Sequence, residues 1–549
     1  MSDAPDEPQA TAAAPGPGKA DGKASDKADK ASAGRGALFL AAGNVYFIFA
    51  GFAIQFGLPA VLSRTMFGAY TLVNSIASLF NNVLVTGTIQ AVSRATAQEP
   101  DKARAVQNAG LRMHTFLGLG VAIAFIAAAP IVAWGLHDSS KTAPLMLAGV
   151  IIAGYAFYAV FVGTANGLHQ FGRQAGLTVV FATVRAVGLI GMAVVGFGVV
   201  GVIAGWVAAV VLIMALAIAW IGMPGKIAAA DRLPVAPMVR YFSQVAIYLV
   251  LFNALMFVDT VLLKRLMAEH YAAQLPAYSD ALARVLPWAS HATGYHPDVA
   301  ALADIQVGYY AAVQNLARLS YQLLLAATFV AFPLVSRSTF TDDKETTKRY
   351  VEVTVRYSLL FGALIAVVMA ANPGDVLGLV YAPDFVQLGS AALPLLALGN
   401  VAFSLVAIAG TILNGAGQTG VATLMAGLTL VVAVVANYIA IPLAAEGGDA
   451  LVVAAGVTGG SMVVGAIACG VVLKKRFGAF VPLLSVARVA IAVVAAIAVG
   501  RVLPLHGKLM TLVEAVVVAI VYLAVLVVTR ELGASDLAAI KAVRKRRAR

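Results

Sequence analysis

Tyr310, Gln314, Arg318 and Gln322 recur every four residues in the apolar run VGYYAAVQNLARLSYQLLLAATFVAFPLVSR, residues 307–337. On a helix of 3.6 residues per turn that spacing keeps them on one slowly drifting stripe. Its one charge is a guanidinium, whose planar fork of donors suits anions, phosphate oxygens above all. Arg185, about ten residues into another apolar run, is a second candidate of the same kind. Asp259, in FNALMFVDTVLL, is the carboxylate set deepest among such runs, and either pairs with Arg318 or holds a coupling cation. The bland alternatives are interhelical hydrogen bonds for the stripe and an outward-reaching stem for Arg318. Arg112, Arg356 and Arg488 sit within one or two turns of a run's end, where reaching the headgroups is the simpler reading. Glu514 reads as an interface residue of a peripheral run.

Catalytic patterns are missing around these groups. The sequence has no P-loop, no HExxH and no Ser/His/Asp set at a helix end. His270, His291 and His296 share one long connection with Asp280 and Asp298, but their spacing suits no metal site. An enzyme is not implied, nor is a cofactor or a metal.

What must position these groups is a stack of membrane helices. The chain of 549 residues is 61% hydrophobic and 12% charged, with a mean hydropathy of +0.88. Soluble domains run at roughly 45–50% apolar and about 25% charged. A helix needs about 20 apolar residues to cross about 30 Å of hydrocarbon, and the runs have that length rather than an alternating strand pattern. The fold class is therefore all-α and polytopic. The single cysteine, Cys469, rules out a disulfide framework.

Fourteen spans are predicted, with limits near 37–62, 67–93, 109–135, 143–167, 175–196, 199–222, 239–263, 307–336, 353–380, 389–413, 421–443, 451–473, 481–503 and 509–529. Residues 1–36, poor in apolar residues, read as a disordered tail. An even number of spans puts both termini on one side. Placing them in the cytoplasm gathers Arg94, Lys102, Arg104, Arg173, Lys226, Lys344, Lys348, Lys474 and the basic tail 530–549 there. The opposite loops hold fewer, among them Arg64, Lys141, Lys264 and Lys508. That asymmetry follows the positive-inside rule. It also accounts for the net charge of +12 without nucleic acid, because the cations are scattered over short loops.

The chain repeats itself. FGAYTLVNSIASL, from Phe67, aligns with VGYYAAVQNLARL, from Val307, at an offset of 240 residues, and GTANG at Gly163 is echoed by GTILNG at Gly410. Span 2 thus corresponds to span 8 and span 4 to span 10. An offset of six helices keeps the two copies in the same orientation, related by an axis along the membrane normal. The predicted organisation is a first lobe over 37–222, a linker at 223–238, and a second lobe over 239–473 carrying an extracytoplasmic insert at 264–306. Two further helices follow at 474–529. The stripe on span 8 has a counterpart on span 2, Tyr70, Asn74, Ser78 and Asn82. Polar stripes in hydrocarbon are costly unless they face protein or water, so both are expected to face a cavity between the lobes. The insert, with Tyr271, Tyr278, Trp288 and Tyr295, either lies along the interface or caps that cavity.

The GxY start of spans 2 and 8, the FPLVSR close of span 8 and the NG-turn endings of spans 4 and 10 resemble the polysaccharide-transporter family. These Wzx-type flippases belong to the multidrug/oligosaccharidyl-lipid/polysaccharide flippase superfamily. The resemblance covers residues 37–529. It implies two six-helix lobes plus two helices, alternating access in the inner membrane, and an undecaprenyl-diphosphate-linked oligosaccharide as substrate. Arg185 and Arg318 would serve the cationic cavity such proteins carry. Membrane lipids, a polysaccharide polymerase and a chain-length regulator are the partners it suggests. Two features depart from the pattern: span 1 holds Asn44 and Gln55 but no acid, unlike many drug/cation antiporters, and the 264–306 insert is long. A lipid II flippase, a cation-coupled drug exporter and a non-transporting scaffold for glycan synthesis are the competing readings.

Overall fold

The computed structural model describes residues 20–273, 299–322, 344–503 and 507–533. All described elements are helices. The first lobe comprises α1 (Ala20–Val61), α2 (Arg64–Gln98), α3 (Ala103–Gly135), α4 (Thr142–Gly167), α5 (Phe171–Val195) and α6 (Gly198–Ile221). The second comprises α7 (Ala236–Ala273), α8 (Val299–Ala317), α9 (Lys344–Ala371), the short α10 (Pro373–Gly378) and α11 (Pro383–Gly389), then α12 (Ala392–Gly415), α13 (Thr419–Ala445) and α14 (Ala450–Phe477). Two more, α15 (Leu483–Val502) and α16 (Lys508–Val528), complete the described chain.

Thirteen of the described helices are long and apolar enough to cross a membrane. The remaining expected span, 307–336, begins in α8 and runs on past the described residues, as do the central part of the insert and most of the basic tail. One expectation fails at the N-terminus. Residues 20–36, read as a disordered tail, are helical, because α1 is continuous from Ala20 to Val61.

The repeat in the sequence is a repeat in the packing. In the first lobe α1 packs on α5, α3 on α4, α5 on α6 and α4 on α6. Their equivalents six spans later do the same: α7 on α13, α9 on α12, α13 on α14 and α12 on α14. The NG-turn endings agree bond for bond. At the end of α4, Leu168, His169 and Gln170 donate to the carbonyls of Thr164, Asn166 and Ala165; at the end of α12, Ala416, Gly417 and Gln418 donate to Ile412, Asn414 and Leu413. The middle residue of each trio has positive φ, 55° at His169 and 74° at Gly417. Such a left-handed residue lets the last carbonyls find partners. The C-terminal pair α15–α16 packs on α9, on the outside of the second lobe.

Where the lobes meet, α2 crosses α8 at two equivalent glycines. A Cβ on Gly68 would lie 1.7 Å from the Asp304 carbonyl oxygen, and one on Gly308 would lie 2.9 Å from the Arg64 carbonyl oxygen. Gly68 and Gly308, like Arg64 and Asp304, are partners in the 240-residue offset. The pseudo-twofold axis therefore passes through this crossing, and only glycine permits so close an approach.

Candidate functional site

From the glycine crossing the two polar stripes run toward the end of the molecule that carries the NG turns. Along α2, Tyr70 is buried, Asn74 and Ser78 are half-buried and Asn82 is exposed. Along α8, Tyr310 and Gln314 are buried, while Arg318 and Gln322 beyond it are half-buried. Both stripes thus open progressively in one direction. At the opposite end the lobes are closed.

In the second lobe the stripe meets Asp259 of α7. The Asp259 Oδ2 accepts from the Tyr310 hydroxyl at 2.8 Å and from Gln314 Nε2 at 2.9 Å, and its Oδ1 accepts from the Thr260 N–H at 2.7 Å. With the Thr260 hydroxyl, which donates to Oδ1 at 3.4 Å, these groups satisfy the carboxylate without a cation. Arg318 Nη2 donates to the Met256 carbonyl at 2.8 Å and to Gln314 Oε1 at 3.3 Å. Its guanidinium lies 4.9 Å from the Phe257 ring centroid, within cation–π range. Of the two roles open to Asp259, pairing with Arg318 is not direct: the Gln314 amide, one turn before Arg318, stands between them. Helix α8 ends at Ala317, and Arg318 sits in a turn whose carbonyl accepts from both Tyr321 and Gln322. A pocket lined by Asp259, Gln314, Arg318, Tyr321, Asn400 and Thr458 lies in front of these groups.

The first lobe holds its own arginine. The Arg185 guanidinium of α5 stacks 4.5 Å from the Trp206 ring of α6. Trp206 Nε1 donates to the Tyr155 hydroxyl at 2.7 Å, and Tyr70 and Tyr155 both lie within electrostatic reach of the guanidinium. Arg185 Nε is buried with no hydrogen-bond partner. Among the described residues neither Arg185 nor Arg318 forms an ion pair. Both guanidinium groups keep donors for an anion.

Sequence reasoning expected the two stripes and both arginines to face one cavity between the lobes. The structure brings them together differently. The Gln314–Arg318 stretch lines a pocket whose walls are α7, α8, α12 and α14, all of the second lobe. Tyr70 and Arg185 gather with Tyr155 and Trp206, all of the first. Of the described stripe residues, Asn82 reaches across the lobes, donating to Asn253 Oδ1 of α7 at 2.8 Å. Asn74 Oδ1 is buried without a partner.

Three other charges also depart from expectation. Arg356 and Arg488, read as reaching for headgroups, both bind Glu531, at 2.8 and 3.2 Å. They fasten α15–α16 to α9. Burial raises the Glu531 pKa, but hydrogen bonds from Arg356, Ser485 and Arg488 outweigh it and hold the carboxyl below its usual range. Glu514, read as an interface residue, is 2% exposed and accepts from Asn372.

The groups that the sequence did not single out close the other end. Lys141 and Lys264, taken as loop cations, are 4% and 0% exposed and contact Asp138 and Asp304. Beside them, Arg64 of α2 makes a bidentate pair with Asp384 of α11, at 2.8 and 3.0 Å, and the Tyr309 hydroxyl donates to the same carboxylate at 3.1 Å. Burial pushes the Asp138 carboxyl up, and Lys264 and Lys141 reverse that, holding it at about 2. The signal in the sequence was the i,i+3 pair Asp138–Lys141, together with Lys264 and Asp304 at the two ends of the 264–306 insert.

Residues 59–287 match the family model of a polysaccharide biosynthesis protein, and residues 299–439 match the MatE model. No curated protein matches the chain. Among solved structures, the chain is similar to the lipid II flippase MurJ in an inward closed conformation. The TM-score is 0.66 at 11% identity, over 90% of this chain and 99% of that one. It is also similar to a multidrug resistance MATE family transporter of the MOP superfamily. In the inward-facing conformation the TM-score is 0.55 at 17% identity, over 79% of this chain and 94% of that one. In the outward-facing conformation it is 0.56 at 15% identity, over 81% and 95%. At these identities the likeness is one of fold.

Proposed function

We propose that this chain, which has the fold of the MOP superfamily of flippases and transporters, translocates an undecaprenyl-diphosphate-linked oligosaccharide across the inner membrane by alternating access. The reading serves polysaccharide biosynthesis, and it rests above all on one observation. Each lobe holds a guanidinium, Arg185 or Arg318, stacked on an aromatic ring and free of any ion pair among the described residues. A guanidinium fork matches a diphosphate, and its low-polarity surroundings strengthen the attraction.

With the termini cytoplasmic, the open ends of the stripes face the cytoplasm and the closed end faces outward. The diphosphate head then enters from the inner leaflet, finding Gln322 and Asn82 first and the arginines deeper. Rocking of the lobes about the Gly68–Gly308 crossing would expose the same groups to the other side. A membrane potential, negative inside, opposes outward movement of the anion by about 2.3 kcal/mol per charge per 100 mV. Asp259, joined to Arg318 through Gln314, is the candidate to carry a compensating cation or proton.

Removing one charge-assisted contact costs about 1.5–3 kcal/mol, roughly a ten- to hundredfold loss of affinity. Arg185→Ala and Arg318→Ala should each abolish glycan export in cells at normal protein levels, with Lys at either position restoring it only in part. Normal export by both Ala variants would remove the proposal. A second reading, translocation of lipid II, is favoured by the likeness over 99% of the lipid II flippase chain. Rescue of cells depleted of their own lipid II flippase separates the two.

A further inference from the structure

Asp138 and Lys141, on the connection between α3 and α4, belong to the first lobe; Lys264 of α7 and Asp304 of α8 belong to the second. The four side chains form a closed ring of alternating charge. Lys141 Nζ lies 2.6 Å from Asp138 Oδ2 and 2.7 Å from Asp304 Oδ2, and Lys264 Nζ lies 2.9 Å from Asp138 Oδ2 and 2.7 Å from Asp304 Oδ1. The last contact is an ion pair by distance, without hydrogen-bond geometry, and Lys264 also donates to the Ala300 carbonyl at 2.7 Å. None of the four residues is more than 5% exposed.

We propose that this ring is an electrostatic latch holding the two lobes together at the outer end, and that its connectivity is what makes it reversible. Two of its four contacts, Lys141–Asp304 and Lys264–Asp138, cross between lobes. The other two, Lys141–Asp138 and Lys264–Asp304, lie within a lobe. Parting the lobes breaks only the crossing contacts and leaves one neutral ion pair on each face. A buried charge stripped of every partner is strongly destabilising, and this arrangement avoids it. A single cross-lobe pair would not. The latch also surrounds the pseudo-twofold axis: Asp304 provides the carbonyl that approaches Gly68, and Arg64, its repeat equivalent, makes a further cross-lobe pair with Asp384. The inference rests on the alternating-access reading, because a latch needs a second state in which it is undone.

The connectivity dictates the test. With Cys469 replaced, spin labels at Val61 on α1 and Gln387 on α11, both exposed at this end, report the separation of the lobes in nanodiscs. Exchanging the two charges of one lobe, Asp138→Lys with Lys141→Asp, preserves the pair within that lobe and sets like charge against like across the interface. The long-distance population should rise at least tenfold. Adding Lys264→Asp and Asp304→Lys regenerates all four attractive contacts and should bring the short distance back. If the quadruple exchange fails to fold, Lys264→Met with Asp304→Asn removes both crossing contacts without repulsion, and it too should raise the long-distance population. A folded two-residue exchange, or a folded Lys264→Met/Asp304→Asn protein, that keeps the wild-type distribution would overturn the latch. Wild-type protein that shows one distance, with and without lipid-linked oligosaccharide, while the exchanged variant opens, would instead count against alternating access.

Discussion

Replacing Gly68 by alanine adds a single methyl group where the repeat has no room for one. The new carbon would lie 1.7 Å from the Asp304 carbonyl oxygen, 2.6 Å from its carbon and 2.9 Å from the Gly308 nitrogen. All three are backbone atoms, so no side-chain rotation relieves the overlap. Reaching the 3.4 Å of ordinary contact requires the two helices to part by about 1.7 Å along that line. Overpacking of this kind costs about 1–3 kcal/mol, which biases a two-state equilibrium by roughly five- to 150-fold. The cost falls only on the state in which α2 and α8 touch. Gly308→Ala, whose nearest approach is 2.9 Å, should shift the equilibrium less, and Gly120→Ala, with nothing within 4 Å, not at all. The assay is the Val61–Gln387 distance distribution in nanodiscs, with melting in detergent as the check on folding. The expected order of opening is Gly68→Ala, then Gly308→Ala, then Gly120→Ala level with wild type. A folded Gly68→Ala protein with the wild-type distribution would refute the placement of the crossing at the pseudo-twofold axis.

Asp259→Asn keeps the shape of a carboxylate held by Tyr310, Gln314 and Thr260 but removes its charge. If Asp259 couples an ion, transport into proteoliposomes should lose its response to imposed pH and sodium gradients while the protein stays folded. Because Gln314 separates the two groups, adding Arg318→Gln should not restore transport; recovery in the double variant would show a static pair instead. Glu531→Gln loosens the α15–α16 pair from α9, and should lower stability by about 1.5–3 kcal/mol, read as a lower melting temperature. Burial raises the Glu531 pKa and its hydrogen bonds from Arg356, Ser485 and Arg488 more than offset that, so the folded value lies below the ordinary carboxyl value of 4.5. Its stabilisation is then full above that value and lost as pH falls through the folded one. The wild type should hold the same advantage over Glu531→Gln at pH about 8 and about 6, and lose it only as acidification protonates the folded carboxyl. A cysteine at Glu345, in the first turn of α9, should resist a membrane-impermeant reagent in intact cells. Labelling there would reverse the proposed orientation.

The membrane class and the repeat were legible because both are periodic. Apolar length fixes a span, and a 240-residue echo fixes a lobe. The two NG endings even carried over as matching sets of hydrogen bonds at His169 and Gly417. Azimuth was not legible. A four-residue period puts Gln314 and Arg318 on one face of a helix without saying which neighbour that face meets, and α8 turns it toward α7, α12 and α14 rather than the other lobe. Lys141 and Lys264 were misread for a related reason. Standing at the ends of apolar runs they look like loop cations, and only the closure of one lobe on the other buries them with Asp138 and Asp304. Glu514 sits on a peripheral helix by sequence, yet the contact with Asn372 requires α16 to dock against the end of α9. Residues 20–36 carry no apolar side chain larger than alanine but continue the helix of the apolar stretch that follows them in α1, where each added residue gains a hydrogen bond.

Reconstituted flux bears hardest on the assignment. Purified protein in liposomes, supplied in one leaflet with a fluorescent undecaprenyl-diphosphate-linked oligosaccharide, should accelerate its appearance in the other leaflet. The rate should fall at least tenfold in Arg185→Ala and in Arg318→Ala. Flux equal in wild type, both variants and empty liposomes, or acceleration that survives loss of both arginines, would contradict a flippase that holds its substrate by the diphosphate.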